Sequence, residues 1–337
     1  SLDQHGPQND PSADTIAPHA GQRGGSAKST TARMGAAIEV TSPCSASRAS
    51  AQASPMSAPQ IFDRRRRRLR RDRAAAGFAA HGFIHARMAA ELLDRLDSVQ
   101  RQFTRALDLG CLDGRVGRAL TARGIETIAA DPGFRFAHTA GGVQCDEDQL
   151  SFADGSFDLI VACGGLDQVN DLPGALTLIR RALRPDGLFL GAFVGAGSLP
   201  RLRAALLGAE ERAVARIHPQ IDVRSAGDLL SRAGFALPVA DGERLAVRYG
   251  SLFALLADLR GSASASLLAG AAPPLTRSAL ARSAERFQAG ADPDGKVAET
   301  IEIVHLLGWA PAPDQPRPAR RGSGTASLAD ALRPKRD

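Results

Sequence analysis

Lysine is nearly absent: Lys28, Lys296 and Lys335 are the only three among 42 basic residues. The formal charge of +6 is therefore almost wholly arginine. That imbalance fits a GC-rich coding bias better than selection for nucleic-acid binding. Cysteine is also scarce. Cys44, Cys111, Cys145 and Cys163 are scattered without a CxxC pair, which argues against a zinc ribbon or a disulfide framework and for a reducing compartment. Aromatic residues make up only 4%, and none interleaves with the basic run at 64–73 to stack bases. No uninterrupted apolar stretch is long enough to span a bilayer, and the start lacks a charged segment followed by an apolar one. The expectation is a soluble protein with no transmembrane segment and no DNA partner.

What is present is enough apolar material, 44% of residues, for a sizeable core. It is unevenly spread. Residues 1–57 are rich in Ser, Ala, Gly, Pro and Gln without apolar periodicity, so burial there does not offset the entropy of ordering, and disorder is expected. Asp3, Asp10, Asp14 and Glu39 argue against a transit peptide. Met56, opening "MSAPQIFDRRRRRLRRDR", is read as the translation start. Residues 61–103 form a basic and amphipathic helical region. Phe83, Ile84, Met88, Leu92, Leu93 and Leu96 recur at helical spacing. The arginine run reads either as a site for an anionic partner or, more simply, as a solvated helix start.

From 104 to 310 the pattern is that of one α/β domain. "RALDLGC", "IETIAAD", "FDLIVAC" and "LFLGAFV" read as strands. "GRVGRALTARG" and "LPGALTLIRRALRPDG" read as helices between them, the second stopped by Pro-Asp-Gly. "SAGDLLSRAGF" reads as a helix with Ser225 as N-cap and Gly234 as stop, "SLFALLADLRG" as another, and "ERLAVRY" and "AETIEIVHLLGW" as strands. The alternation predicts a doubly wound, mostly parallel sheet with helical additions. Residues 311–337 form a Pro/Arg-rich tail without a core.

In such a sheet, ligands bind at the carboxyl ends of the strands. Those ends carry Asp108, Gly110 and Cys111, then Asp131, then Asp146 and Glu147, then Cys163. Gly110 and Gly114 permit close backbone approach, and the turn opens a helix whose N-terminus favours negative groups. A dinucleotide fingerprint would need GxGxxG, and "GCLDGRVG" has Leu112 at the middle position. The acid of "CDEDQLSF", followed by "ADGSFDLIVAC", separates the two readings. Together these elements resemble the class I S-adenosylmethionine-dependent methyltransferases, which are Rossmann-like. By that resemblance Asp131 would bind the ribose hydroxyls and Asp146 would sit near the adenine amino group. Asp108, Gly110, Cys111, Gly114, Glu147 and Cys163 complete the implied cofactor set.

"IFDR" before a basic helix, "VNDLPGAL", "LRPDGLFLGAF", "DLLSRAGF", "LLGW" and "QPRPARRGSGTASL" narrow the resemblance. They are similar to the methyltransferase-like assembly factors of respiratory complex I, known as arginine hydroxylases in mitochondria, and their alphaproteobacterial relatives. The resemblance runs from about Ile61 to about Leu328, and "RPARRGS" is its most specific part. It implies S-adenosyl-L-methionine as cofactor and a protein substrate, a peripheral-arm subunit of complex I. It also implies the bacterial cytoplasm, or the mitochondrial matrix in a eukaryote.

Three departures bear on the chemistry. Leu112 replaces the family's middle glycine, and a positive φ there would strain it by roughly 1–2 kcal/mol. Asp167 and Gln168 replace a His-Trp pair before "VND". Asp113 adds negative charge beside the expected cofactor carboxylate. Asp167 is the candidate catalytic base, against the plainer reading of a loop acid or helix cap. His81 and His85 stand at i, i+4 but lack a third ligand, so no metal is expected. Cys163 reads as a small buried hydrophobe without a partner base. His218 reads as a turn residue or a substrate-side one. The leading reading is a methyltransferase-type enzyme acting on a protein side chain. Its alternative is a non-catalytic or hydroxylase-type assembly factor with a degenerate cofactor pocket, and a nucleic-acid methyltransferase comes third.

Overall fold

The computed structural model describes residues 60–315 apart from 211, 213, 271 and 314. The expectations for residues 1–57, Met56 and the "RPARRGS" stretch lie outside the described residues.

Among the described residues seven strands form one sheet: β1 Arg105–Leu109, β2 Glu126–Asp131, β3 Val143–Gln144, β4 Phe157–Cys163, β5 Leu183–Val194, β6 Ala236–Tyr249 and β7 Val297–Trp309. Their order is β3-β2-β1-β4-β5-β7-β6. The first five are parallel, and β7 runs antiparallel between β5 and β6. All seven residues of β4 are buried, as a central strand covered on both faces requires. Strand order reverses between β1 and β4, which opens a crevice at their carboxyl ends. This is a doubly wound, mostly parallel, Rossmann-like sheet, as expected.

Among the described residues ten helices flank the sheet: α1 Arg64–Ala74, α2 Phe78–His81, α3 Phe83–Asp97, α4 Arg115–Ala122, α5 Phe134–Thr139, α6 Leu172–Ala182, α7 Pro200–Leu207, α8 Val223–Arg232, α9 Leu252–Gly261 and α10 Arg277–Gln288. On one face Met88, Leu92 and Leu96 of α3 pack with Val161 and Leu190. On the other, Leu176 and Ile179 of α6 pack with Ile160 and Phe189. Alternate residues of the same strands thus feed both cores.

Three local expectations change. The N-cap of α8 is Asp222, not Ser225: its carboxylate accepts the Ser225 N–H at 2.8 Å and the Ser225 hydroxyl at 2.9 Å. The Pro-Asp-Gly signal lies inside β5, where a register irregularity opposite Phe157 and Leu159 absorbs it. His81 and His85 belong to two helices broken at Gly82, and His81 Nδ1 pairs with Asp258 at 2.7 Å.

One buried acid joins the sheet to a helix. Glu299 of β7 is 0% exposed. Its carboxylate accepts from Arg201 N at 3.2 Å and Leu202 N at 2.8 Å, the first amides of α7. Leu199, in the cap position at φ 61°, has no side-chain acceptor of its own. Glu299 therefore supplies a cap across the fold. Replacing Glu299 by Ala should lower stability by about 3 kcal/mol in urea unfolding, the scale of a charged hydrogen bond left unmade. A loss below about 0.5 kcal/mol would place the residue among ordinary surface positions.

Candidate functional site

The glycine turn stands at the crevice. Gly110 (φ 72°), Leu112 (φ 49°) and Gly114 (φ 71°) are all left-handed. The amides of Gly110 and Cys111 both donate to Ala130 O, at 2.7 and 3.0 Å, which ties the turn to the end of β2. Asp108, at the end of β1, is fully buried; its Oδ2 accepts Gly117 N at 2.8 Å and its Oδ1 has no partner. Burial pushes its carboxyl up to about 7, with the nearby Asp131 and Asp113 charges adding. Leu112 does adopt the positive φ that strains it. Its side chain is 3% exposed and belongs to a small apolar cluster with Ala74, Phe78, Phe136 and Ala263. Asp113 is neutralised by Arg115, whose Nη2 lies 2.6 Å from Oδ2. The predicted repulsion is met by this local pair.

The acids at the ends of β2 and β3 are already engaged by α1. Asp131 accepts Arg71 Nε at 2.8 Å and Nη2 at 2.5 Å. Glu147 accepts both terminal nitrogens of Arg67, at 2.6 and 2.7 Å. Asp148 accepts both of Arg64 at 2.6 Å. Asp146 pairs with Arg68. Residues 64, 67, 68 and 71 share one face of α1 because they follow the i, i+3, i+4, i+7 spacing. Arg67 and Arg71 are only 4% and 2% exposed, which corrects the expectation of a solvated helix start. Burial alone would lower the Arg71 pKa, but Asp131 and its hydrogen bonds outweigh this and raise it above its usual value.

The start of α1 is fastened on three sides. Asp63 caps it by accepting Arg66 N at 2.9 Å. Phe62 exchanges hydrogen bonds with the Asn170 side chain, at 2.8 and 2.9 Å. Asp63 N donates to Leu267 O at 2.8 Å and Ala269 N to Ile61 O at 2.7 Å. The "VND" stretch therefore holds the "IFD" stretch through Asn170, a pairing that neither motif announces.

On the other side of the strand ends lies a cavity of about 450 Å³, lined by His85, Met88, Gly164, Asp167, Leu202 and Ile301 among others. Asp167 sits in a 3-10 turn, Leu166–Gln168, half-buried, and its carboxylate accepts Gly165 N at 3.3 Å. Burial pushes it up to about 6. Cys163 is buried with its sulfur 3.6 Å from His85 O, and burial pushes the thiol up, as it does that of Cys111. Both remain protonated near neutrality and are poor nucleophiles. His85 is pushed down to about 4 by burial, with Arg71 and Arg115 adding. His218 also lines the cavity, and its Nε2 accepts Leu267 N at 2.6 Å, so it serves as a turn residue as well. No group of three metal-ligating side chains occurs among the described residues.

S-adenosyl-L-methionine would need Asp131 for its ribose and Asp146 for its adenine. In this arrangement both accept from α1, so the residues match the cofactor in kind but do not fit it as placed. Space is short as well. A Cβ on Gly110 would lie 3.1 Å from Gly164 O and 3.8 Å from Arg71 Nη2, and one on Gly165 would lie 3.0 Å from Arg67 Nη2.

Comparison with known proteins shows the family. A methyltransferase-domain family model matches residues 78–238. The chain is 32% identical over 285 residues to the mitochondrial arginine hydroxylase NDUFAF5 of Danio rerio, covering 80% of this chain and 89% of that one. It is 33% identical over 285 residues to the Homo sapiens protein of the same name, covering 80% and 83%. A malonyl-[acyl-carrier protein] O-methyltransferase of Gallionella capsiferriformans is 29% identical over 272 residues, covering 75% and 93%. The methyltransferase domain makes S-adenosyl-L-methionine its cofactor.

Two measurements test the turn. Leu112→Ala should cost about 2–4 kcal/mol in urea unfolding through lost packing. Leu112→Gly should cost about 1 kcal/mol less, because glycine alone tolerates the left-handed backbone; a larger loss for Gly contradicts the strain. Asp108 has a folded pKa above its unfolded value. As pH rises from about 4 to about 7, the unfolded chain releases this proton before the folded one does. Stability therefore falls across that window. Asp108→Asn should flatten that slope in unfolding measured against pH, and an unchanged slope would assign it to other groups.

Proposed function

The chain belongs to the family of the mitochondrial arginine hydroxylase NDUFAF5, and on that premise we propose that it acts on an arginine side chain of a protein. The target is a peripheral-arm subunit of respiratory complex I, and the action belongs to assembly of that complex. The observation that carries this reading is the cavity beside Asp167. Its apolar walls, including Met88, Leu202 and Ile301, suit the aliphatic stem of an arginine. Asp167 offers a planar carboxylate to the guanidinium fork. With burial holding Asp167 near 6, an arriving positive charge ionises it fully and stabilises the pair. Asp167 thereby orients the target nitrogen toward the strand ends. With Asp131 and Asp146 engaged by Arg71 and Arg68, this arrangement is not poised for methyl transfer.

That same engagement favours a second reading, in which the protein binds its partner without chemistry. Mass spectrometry of complex I subunits from a strain lacking the gene separates the readings. Loss of an arginine carrying one extra oxygen supports hydroxylation, and loss of one carrying an extra methylene supports methyl transfer. Failed assembly with no missing modification supports the binding role. Complementation with Asp167→Asn should reduce the modification at least tenfold, the scale of a lost charged hydrogen bond, while the melting temperature stays within a few degrees. Full modification by this variant would remove Asp167 from the site.

A further inference from the structure

The oxygens of Asp131 are fully used. Oδ1 accepts Arg71 Nε at 2.8 Å and Gly133 N at 2.7 Å. Oδ2 accepts Arg71 Nη2 at 2.5 Å and Leu112 N at 3.0 Å. A carboxylate has about four acceptor sites, and Asp131 is 0% exposed. Nothing remains for a ribose diol. Two of the four donors are backbone amides of the turns that build the pocket. The other two come from one side chain of α1, and they occupy one site on each oxygen. Withdrawing Arg71 would free a pair of acceptors, one for each hydroxyl.

The same holds across the cleft. Arg67 uses both oxygens of Glu147 and also donates to Gly165 O at 3.1 Å. Its Nη2 would lie 3.0 Å from a Cβ at Gly165, a tight contact, and Arg71 Nη2 would lie 3.8 Å from one at Gly110, an ordinary contact. The guanidinium groups thus lie within contact distance of the two glycines that border the β1 and β4 strand ends. Ala74 and Phe78 complete the cover by packing on Leu112.

We propose that α1 is an intramolecular competitor of the cofactor: the docked helix and bound S-adenosyl-L-methionine are mutually exclusive, and the cofactor enters as Arg67 and Arg71 leave Glu147 and Asp131. The proposal rests on the family's cofactor assignment. If the pocket is open only a fraction of the time, the apparent dissociation constant is the intrinsic one divided by that fraction. The anchors at the start of α1, among them Phe62 through Asn170 and Asp63 through Leu267, add to the arginine pairs in making that fraction small. Charge matters as well as contact. A lysine at 71 would present a point charge where the arginine fork meets both oxygens, so Arg71→Lys should lie between the wild type and Arg71→Ala.

The experiment is calorimetry of the full chain with S-adenosylhomocysteine. Arg71→Ala should bind at least tenfold more tightly than the wild type, and Asp131→Asn should bind more weakly. Equal or weaker binding by Arg71→Ala overturns the competition while leaving the cofactor assignment intact. No binding by any chain at millimolar ligand overturns both. Tryptic cleavage within residues 64–73 of the wild-type chain is the second measurement, should Arg71→Ala fail to fold. Ligand should speed cleavage if it displaces α1. Slower cleavage means the helix stays over bound ligand and overturns the proposal.

Discussion

Arg67 and Arg71 carry full charges into the protein interior, and Glu147 and Asp131 meet them there. Desolvating such ions costs several kcal/mol each, and only close, bidentate pairing offsets that. Both partners are therefore needed together, and removing one leaves an uncompensated buried charge. The rest of the site follows from this constraint. Because α1 must lie across the strand ends to deliver its arginines, its far end brings Ala74 and then Phe78 over the glycine turn. Because the helix begins at a fixed place, Phe62 and Asp63 are held by Asn170 and Leu267.

Leu112 takes its meaning from that cover. As a residue in a glycine position it is a liability, since its backbone sits at φ 49°. As a buried side chain clustered with Phe78 and Phe136 it is part of a core. The burial of a leucine is worth roughly 1.5–3 kcal/mol, comparable to or larger than the left-handed penalty. A glycine there would relieve the backbone and leave a gap under the helix. The departure in the turn and the basic helix above it are thus one feature.

Much of the frame was legible beforehand. β1, β2, β4 and β5 stand out as short apolar runs ending in acids or glycines, and α4 and α6 as the helices between them. The acids at 108, 131, 146 and 147 fall where strand ends put them. Other features were not legible. The arginine run carries no sign of its partners, because Asp131 and Glu147 are 60 and 80 residues away from Arg71 and Arg67. Its i, i+3, i+4, i+7 spacing was the available signal, and pairing it with acids requires the fold. The cavity is assembled from α3, the β4 end, α7, α9 and β7, so no local motif encodes it. Asp222 and Ser225 both suit a cap, and only the backbone geometry of the first turn of α8 chooses between them.

Sequence alone determined the doubly wound sheet, the identity of the strand-end acids and the family to which they point, because periodicity and turn chemistry act over a few residues. Tertiary structure decided what those acids touch. Whether a carboxylate waits for a ribose or holds an arginine depends on which distant side chain shares its low-dielectric surroundings, and that is set by how α1 crosses the sheet. The residue types allow both states; the packed helix selects the closed one described here.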